Sequence, residues 1–320
     1  IFILLIIISA VYLITKKEPI NNEESKEISY KTIDMVTNLR MGISNFDSIH
    51  PYITNNQEVI YIDQLIFEPL LSITEDYKID TCLAKEWSKI DEKAYIIKLK
   101  EGVKWQDNSS FTSEDVKFSI DRLKKQTESV FYANVKNIKS VEIVDEYTIR
   151  IELNDNEAFF EYNLIFPIIS YKQYKNKKFN STSIPIGTGK YKISKMDNDK
   201  IELSKNNEWR DIDIENSNIK TISINLYDGR GKEYNSFKLG SIDIIYTSSD
   251  EAEEYIGSIG YGKKVYESRE YDYLALNCEN MILQYKEVRQ AINMVIDKEK
   301  IAGSTLENKV TVAKYPLLNN

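Results

Sequence analysis

The sequence predicts a mixed α/β fold of more than one lobe, and three observations indicate it. Stretches such as 93–105 and 141–153 alternate apolar and polar residues, which is typical of strands with one buried face. Stretches such as 56–71 and 112–125 repeat apolar residues with helical spacing. The length of 320 residues suffices for two lobes of ordinary size, and 42% hydrophobic residues are typical of a globular protein.

The elements of the first half follow from these patterns. Residues 31–43 predict a strand, and residues 56–71 predict an amphipathic helix. The apolar side chains of that helix recur at spacings of three, four and four: Val59, Ile62, Ile66 and Leu70. Residues 93–105 predict a further strand. Thr112 and Asp115 have the spacing of a capping box and predict the start of a second helix. Its apolar face is formed by Val116, Ile120 and Leu123.

The remaining elements are two hairpins and two helices. Residues 141–144 and 147–153 predict one hairpin across Asp145-Glu146, and residues 190–206 predict a second. Residues 233–246 predict a helix, a stop at Gly240 and then a strand. Residues 285–301 predict a last helix whose apolar face is formed by Val288, Ile292 and Val295.

The amino-terminal residues have a different composition from the rest. Ile1–Ile14 is apolar without a charge and is followed by Lys16-Lys17. As a helix it would be about 21 Å long, shorter than a bilayer core of about 30 Å. We interpret residues 1–15 as a secretory signal or a membrane anchor. No cleavage site stands out, so both alternatives stay open. Residues 16–31 are polar and predict a flexible tether.

Charge and residue counts exclude several classes of function. A net charge of −8 without a basic run argues against a nucleic-acid partner. A single histidine, His50, argues against imidazole catalysis and against multi-histidine metal sites. Cys82 and Cys278 have no CxxC spacing, so one disulfide and two free thiols both stay open. We therefore expect no metal and no cofactor, and we find no pair of nucleophile and base that would indicate an enzyme.

The stretch "IPIGTGKYKI", residues 184–193, invites comparison with phosphate-binding loops. Ile184 stands where a P-loop needs its first glycine, and Tyr191 stands where it needs a small hydroxyl. We interpret the stretch as a tight turn that leads into a strand, with its glycines serving the turn.

Several segments together resemble one family. In chain order they are "SIHPY" at 48–52, "IFEPLL" at 66–71, residues 83–123, "PIGTGKYKI" at 185–193, "FKLGSIDI" at 237–244 and residues 273–301. The chain resembles the extracytoplasmic solute-binding proteins of ABC transporters, family 5, the class that binds oligopeptides, dipeptides and nickel chelates. It departs from that pattern at His50, Asn108 and Lys190, where the family usually has Asp, Gly and Pro.

The resemblance implies a type II periplasmic-binding-protein-like α/β fold, with two lobes around a cleft and a truncated third lobe. Residues 32–71 and 185–272 would form the first lobe, residues 72–184 the second, and residues 273–320 the start of the third. Members of the family are longer than this chain, so most of the third lobe would follow Asn320. The stretch 184–193 would be the return from the second lobe to the first.

The resemblance also implies a set of ligand contacts. Asn55, Asn56 and Gln57 would present backbone groups to the ligand before the first helix. Tyr132 matches a ligand-contacting tyrosine of the second lobe, with core packing as the alternative. A third group would lie at the carboxyl end of the strand "SIDII": Tyr246, Thr247 and Ser248.

The function implied is that of a receptor that captures peptides or similar small solutes outside the cytoplasm and delivers them to ABC permease subunits. The amino-terminal segment would hold the protein at the membrane. The alternative is a membrane-anchored signalling receptor that senses peptides with the same fold, and a neighbouring permease gene would favour transport.

Overall fold

The computed structural model describes residues 36–177, 179, 184–211, 218–247, 260–262, 264, 271–305 and 310–313. The chain divides into two compact units, residues 1–262 and residues 263–320. The predicted signal or anchor (1–15) and tether (16–31) lie outside the described residues, as does Ser248. Within the described residues, no helix combines the length and the apolar character that crossing a membrane requires.

Four strands form the first sheet of the larger unit, in the order β1-β10-β9-β8. They are β1 (Asn38–Ser44), β8 (Tyr191–Met196), β9 (Lys200–Lys205) and β10 (Thr221–Tyr227). β1 pairs with β10 in parallel, whereas β10–β9 and β9–β8 are antiparallel. The carboxyl ends of β1 and β10 therefore meet at one edge, where Ser44 is paired with Tyr227.

The second sheet is antiparallel throughout, in the order β4-β5-β7-β6. Its strands are β4 (Ala84–Asp91), β5 (Ala94–Leu99), β6 (Ile138–Asp145) and β7 (Thr148–Leu153). A two-stranded ribbon of β2 (Leu71–Ile73) and β3 (Ile79–Thr81) precedes it. The predicted hairpins, β6–β7 here and β8–β9 in the first sheet, are both confirmed.

Helices of the larger unit pack on both sheets, and two further described helices, the last two in the chain, belong to the smaller unit. In chain order they are α1 (Gln57–Ile66), α2 (Ser113–Leu123), α3 (Tyr132–Val135), α4 (Tyr171–Tyr174), α5 (Arg230–Lys238), α6 (Lys286–Val295) and α7 (Lys298–Lys300). A 3₁₀ turn spans Phe160–Asn163, and a π-helical turn spans Ile301–Thr305. The capping box predicted at Thr112 and Asp115 is present at the start of α2.

Two hydrophobic cores form, one for each sheet. The first core joins α1 to the first sheet through residues such as Val59, Ile66 and Ile222. The second core joins α2 to the second sheet through residues such as Ile120 and Ile149. Tyr52 already reaches into the second core from the loop after β1, and the main chain passes from the first core to the second between Phe67 and Leu70 and returns between Ile186 and Tyr191. The lobe boundaries proposed from the sequence agree with this path but stay a prediction.

The glycine stretch owes its composition to a close approach rather than to the turn conformation predicted for it. The glycines with positive φ among the described residues are Gly102, Gly240 and Gly260. A Cβ on Gly187 would lie 1.7 Å from the Ile66 carbonyl oxygen, and one on Gly189 would lie 2.5 Å from that of Leu65. The Gly189 N–H donates to the Ile66 carbonyl at 2.9 Å. Glycine is therefore required because the returning chain lies directly on the end of α1.

Several predicted elements are wrong in extent. The strand predicted at 93–105 ends at Leu99, and the helix predicted at 285–301 divides into α6 and α7. The first helix ends at Ile66 rather than at residue 71, because the chain becomes extended at Phe67, two residues before Pro69.

The strand predicted after Gly240 reduces to one bridge between Met41 and Ile244. Asp243 is held against β1 by other bonds. Its N–H donates to the Arg40 carbonyl at 2.8 Å, and its carboxylate accepts from the Arg40 N–H at 2.8 Å and pairs with the Arg40 guanidinium.

Candidate functional site

The carboxyl-terminal edge of β1 and β10 carries the densest polar cluster near the predicted contact residues. Ligands of α/β sheets bind beyond the carboxyl ends of parallel strands. Helix α1 begins at Gln57 and helix α5 begins at Arg230, and both helices contact β1. Because loops and helix starts converge here, this edge is the candidate site, defined by residues 44–58, 228–233 and 244–247.

The loop between β1 and α1 is held by one carboxylate. Oδ1 of Asp47 accepts hydrogen bonds from the Ser48 N–H at 2.7 Å and from the Thr54 hydroxyl at 2.6 Å. Oδ2 accepts from the Asn55 N–H at 2.7 Å. Because Asp47 binds both ends of the loop, the backbone before Asn56 is fixed in advance of any ligand.

Asn56 caps α1, and its side chain is fully occupied by that role. Its Oδ1 accepts from the N–H groups of Glu58 and Val59, at 2.9 and 3.4 Å. Its Nδ2 donates to the carbonyls of Ser44 and Asn45, at 2.7 and 3.1 Å. The structure therefore gives Asn56 a structural task, joining α1 to the end of β1. The neighbouring Asn55 and Gln57 are exposed, and their contact with a ligand stays a prediction.

A partly buried charge cluster adjoins this loop. Glu58 accepts from the Ser44 N–H at 3.0 Å, and Glu233 accepts from the Ser44 hydroxyl at 2.5 Å. Arg230 donates to both carboxylates. Burial raises the pKa of Glu58, and the nearby Glu233 carboxylate acts in the same direction. Gly42 leaves the space for Glu233, since a Cβ on Gly42 would lie 2.7 Å from the Glu233 Cγ.

Tyr246 and Thr247 lie against the same two helices. The Tyr246 ring meets the Tyr61 ring edge-on at 5.5 Å, and Tyr61 is one helical turn beyond Gln57 in α1. The Tyr234 hydroxyl, from α5, donates to the Thr247 hydroxyl oxygen. The structure thus brings the groups 55–57 and 246–247 to α1 and α5 at one edge of the sheet.

Tyr132 belongs to the second core's side of the molecule. It is the first residue of α3, half-buried, with its N–H donating to the Ser129 carbonyl at 3.0 Å. Within the described ranges, no hydrogen bond or ring contact joins Tyr132 to residues 55–57 or 246–247. The half-buried position is compatible with both roles considered for it, and its ligand contact stays a prediction.

The charge cluster was not predicted from the sequence. Arg230 and Glu233 are three residues apart in α5, a spacing at which helical side chains meet. This spacing is the one sequence feature that could have indicated part of the cluster. Their partner Glu58 is 172 residues away from Arg230 along the chain. Only the folded sheet reveals that Ser44, Glu58 and Arg230 share one site.

Comparison with known proteins identifies the family to which this chain belongs. The family model for "Bacterial extracellular solute-binding proteins, family 5 Middle" matches residues 78–320. The chain belongs to the family 5 bacterial extracellular solute-binding proteins.

The chain is similar to curated glutathione-binding proteins. It is 28% identical over 155 residues to the glutathione-binding protein GsiB of Escherichia coli strain K12. It is 29% identical over 155 residues to GsiB of Salmonella typhimurium strain LT2. Each match covers 47% of this chain and 30% of the relative. The match therefore spans less than a third of these relatives.

Solved structures agree with the fold. NikZ from Campylobacter jejuni, in complex with Ni(L-His), superposes with a TM-score of 0.72 at 27% identity, covering 88% of this chain and 57% of that one. The oligopeptide-binding protein AppA from Bacillus subtilis, in complex with a nonapeptide, gives a TM-score of 0.63 at 21% identity, covering 85% and 56%. The fold is type II periplasmic-binding-protein-like, as predicted.

Proposed function

We propose that this protein is the solute-binding receptor of an ABC importer and that it captures short peptides outside the cytoplasm. The observation that carries the proposal is that helix α1, which begins directly after residues 55 and 56, contacts Tyr246 through Tyr61 near the carboxyl edge of β1 and β10. Residues 55–57 and 246–247 are both predicted ligand contacts. Membership of a solute-binding family supports the receptor role.

A peptide suits this edge because its N–H groups can donate to carbonyls of the loop 45–56, whose own N–H groups are mostly bonded within the protein. Main-chain recognition tolerates varied side chains. The similar proteins carry names or ligands of related chemistry, namely glutathione, a nonapeptide and Ni(L-His). All three contain amino-acid groups, so a ligand with an amino-acid backbone fits this range best.

The partners would be the permease subunits of the importer, and the amino-terminal segment would keep the receptor at the membrane. In this scheme the cores on the two sheets close over the ligand, and the connections at 67–70 and 186–191 act as hinges. Gly187 and Gly189 contact the carboxyl end of α1 at one of these connections, whereas the candidate site lies at its amino end, so α1 joins the hinge to the site.

Native mass spectrometry of the full-length protein with an equimolar tripeptide library tests the proposal. We expect bound tripeptides and a thermal stabilisation that grows with peptide concentration. Ligand at about 100 times its Kd stabilises the folded state by about 2.7 kcal/mol. The Gln57→Ala variant should bind more weakly, whereas the Lys85→Ala variant, with an exposed side chain on β4, should bind like the wild type. Binding of a nickel chelate with no peptide bound would refute the peptide assignment.

A further inference from the structure

The side chain of Gln106 lies where the two connections between the cores meet. Its Oε1 accepts from the Gly187 N–H at 2.9 Å, and its Nε2 donates to the Tyr191 carbonyl at 2.8 Å and to the Ile66 carbonyl at 3.4 Å. The backbone adds a further bond, because the Gln106 N–H donates to the Gly187 carbonyl at 3.0 Å. One residue thus bonds to both connections, since Ile66 directly precedes the first connection and Gly187 and Tyr191 belong to the second.

Gln106 itself belongs to the side of the second core. It follows Trp105, which is buried in that core, and it lies in the hairpin 103–111, which is closed by bonds between its own main-chain groups. The carbonyls to which its side chain donates belong to residues of the first core, Ile66 and Tyr191. The side-chain amide therefore joins the two cores.

Gln173 makes the same kind of contact without joining the cores. Its Oε1 accepts from the Ile186 N–H at 3.1 Å, and its Nε2 donates to the Ile184 carbonyl at 2.9 Å. Gln173 lies in α4 beside Tyr174 of the second core, and Ile186 also packs against that core. Both glutamines are half-buried and have the same chemistry, but Gln106 bonds to the first core whereas Gln173 ties the returning chain to the second.

The bonds of Gln106 lie on the connections about which the cores would rotate. When one body rotates relative to another, atoms close to the axis move little, so bonds at the connections persist while contacts farther away change. Two connections that are joined by an amide can bend in fewer directions than two independent chains. Gly187 and Gly189 allow this arrangement, because they place the returning chain directly on the end of α1.

We propose that Gln106 is a positioning residue for ligand capture, which joins the two connections and confines the relative motion of the cores to one hinge axis. This inference rests on the proposed function, because it takes the cores to close over a bound peptide. By restricting the open geometries, Gln106 raises the population that is competent to close, and the apparent Kd falls by the same factor. Gln106 acts through the hinge and not through a ligand contact, so it changes the affinity of all peptides alike.

The first experiment measures the motion of the full-length protein without any ligand. Spin labels are placed at Glu92→Cys, in the turn between β4 and β5, and at Asn198→Cys, in the turn between β8 and β9. Both positions are exposed and lie at the ends of their strands away from the connections. Cys82→Ala and Cys278→Ser remove the native thiols, so that the two labels alone report the distance between the sheets.

The width of that distance distribution, read by pulsed electron paramagnetic resonance, tests the hinge. We expect Gln106→Met, which fills the same volume without hydrogen bonds, to broaden the distribution about twofold or more. Gln173→Met is the matched control and should leave the width unchanged, because its amide does not join the cores. A residue that merely stabilises the fold would lower the melting temperature without broadening the distribution.

The second experiment measures ligand affinity in the same variants. The probes are the tripeptide that the wild type binds most tightly from an equimolar library and two that it binds more weakly. Calorimetry with Gln106→Met should give a Kd raised about 5–20-fold for each, the range of one or two neutral hydrogen bonds, with the order of the three unchanged. A residue in direct contact with the ligand would change that order. Gln173→Met should bind like the wild type.

Two results would overturn the inference: a distribution that Gln106→Met leaves unchanged, or one that Gln173→Met broadens equally. If Gln106→Met fails to fold, Gln106→Glu, which retains the acceptor for the Gly187 N–H, is measured in its place. Failure of both variants to fold would show that Gln106 serves folding rather than the hinge, and would also overturn the inference. A wild type that binds no tripeptide would refute the proposed function, whereas a broadened distribution in Gln106→Met would still support the hinge assignment.

Discussion

Helices α1 and α6 are both amphipathic and ten residues long, but only α1 buries its apolar face. In α1, Val59 and Ile66 are completely buried against the first sheet. In α6, the apolar residues predicted to share a face are half-exposed or exposed, and Val295 is 84% exposed. The same periodic pattern therefore predicts a helix in both units but predicts burial only where a sheet covers it.

The two units also differ in how they use an arginine. In the larger unit, Arg210 forms two bonds to Glu68, at 2.6 and 2.9 Å, in a largely buried pair. Partly buried Cys82 adjoins this pair, and burial raises the pKa of its thiol to about 12. In the smaller unit, Arg289 donates to the carbonyls of Leu283 and Gln284. Cys82 in the larger unit and the exposed Cys278 in the smaller unit are both free thiols in this structure.

The largest expected effect separates these two arginines. Arg210→Met should destabilise the larger unit by about 3–5 kcal/mol, because it leaves the Glu68 carboxylate buried without its partner. Arg289→Met should cost less than about 1 kcal/mol, since it removes solvent-accessible bonds to carbonyls. Urea unfolding followed by tryptophan fluorescence measures the larger unit, where all three tryptophans lie. Equal losses for the two variants, read also by circular dichroism, would contradict the comparison.

The next effect concerns the two apolar helix faces. Ile66→Ala should destabilise the larger unit by about 2–5 kcal/mol, because it opens a cavity in the first core. Ile292→Ala in α6 should change stability by less than about 1 kcal/mol, because that side chain is already partly exposed. Denaturant midpoints of both variants check this. A large loss for Ile292→Ala would show that another part of the protein covers α6.

The close contact of the glycine stretch with α1 gives a smaller effect. Gly187→Ala should cost about 1–3 kcal/mol or more, because the added methyl group collides with the Ile66 carbonyl. The matched control is Gly231→Ala in α5, where a Cβ meets nothing within 4 Å. That variant should gain up to about 1 kcal/mol, since alanine favours a helix. A thermal scan of the two variants should show melting temperatures that move in opposite directions.

The smallest effect is a pH dependence confined to the larger unit. Burial lowers the pKa of His50 to about 3 in the folded protein, below its ordinary 6.5. As pH falls below 6.5 the unfolded chain binds a proton that the folded protein does not, so stability falls by about 1 kcal/mol between pH 6.5 and 5.5.

His50→Asn isolates this contribution. Asparagine can retain an acceptor for the Tyr52 N–H, which His50 Nδ1 accepts at 3.1 Å, but it does not titrate. Asp115 acts in the opposite direction, because burial raises its pKa to about 6 and proton binding then favours the folded state as pH falls. The difference between wild type and His50→Asn cancels the Asp115 contribution. A difference that does not change with pH would rule out the neutral buried histidine.

The sequence by itself determined the elements whose signals are local. The capping box at Thr112 and Asp115, the two hairpins and the helical period of α1 were all predicted, because each depends on residues a few positions apart. The family resemblance was carried by short segments in a fixed order, and the match to residues 78–320 confirms it.

Tertiary structure alone decided what depends on distant partners. The Arg40–Asp243 pair, which takes the place of a predicted strand, joins residues 203 positions apart. The Glu58–Arg230 bond joins residues 172 positions apart. Glycine at position 187 is explained by the carbonyl of Ile66, which no local pattern indicates. Periodicity specifies which side chains share a face, whereas burial and pairing depend on the surface that the rest of the chain brings to that face.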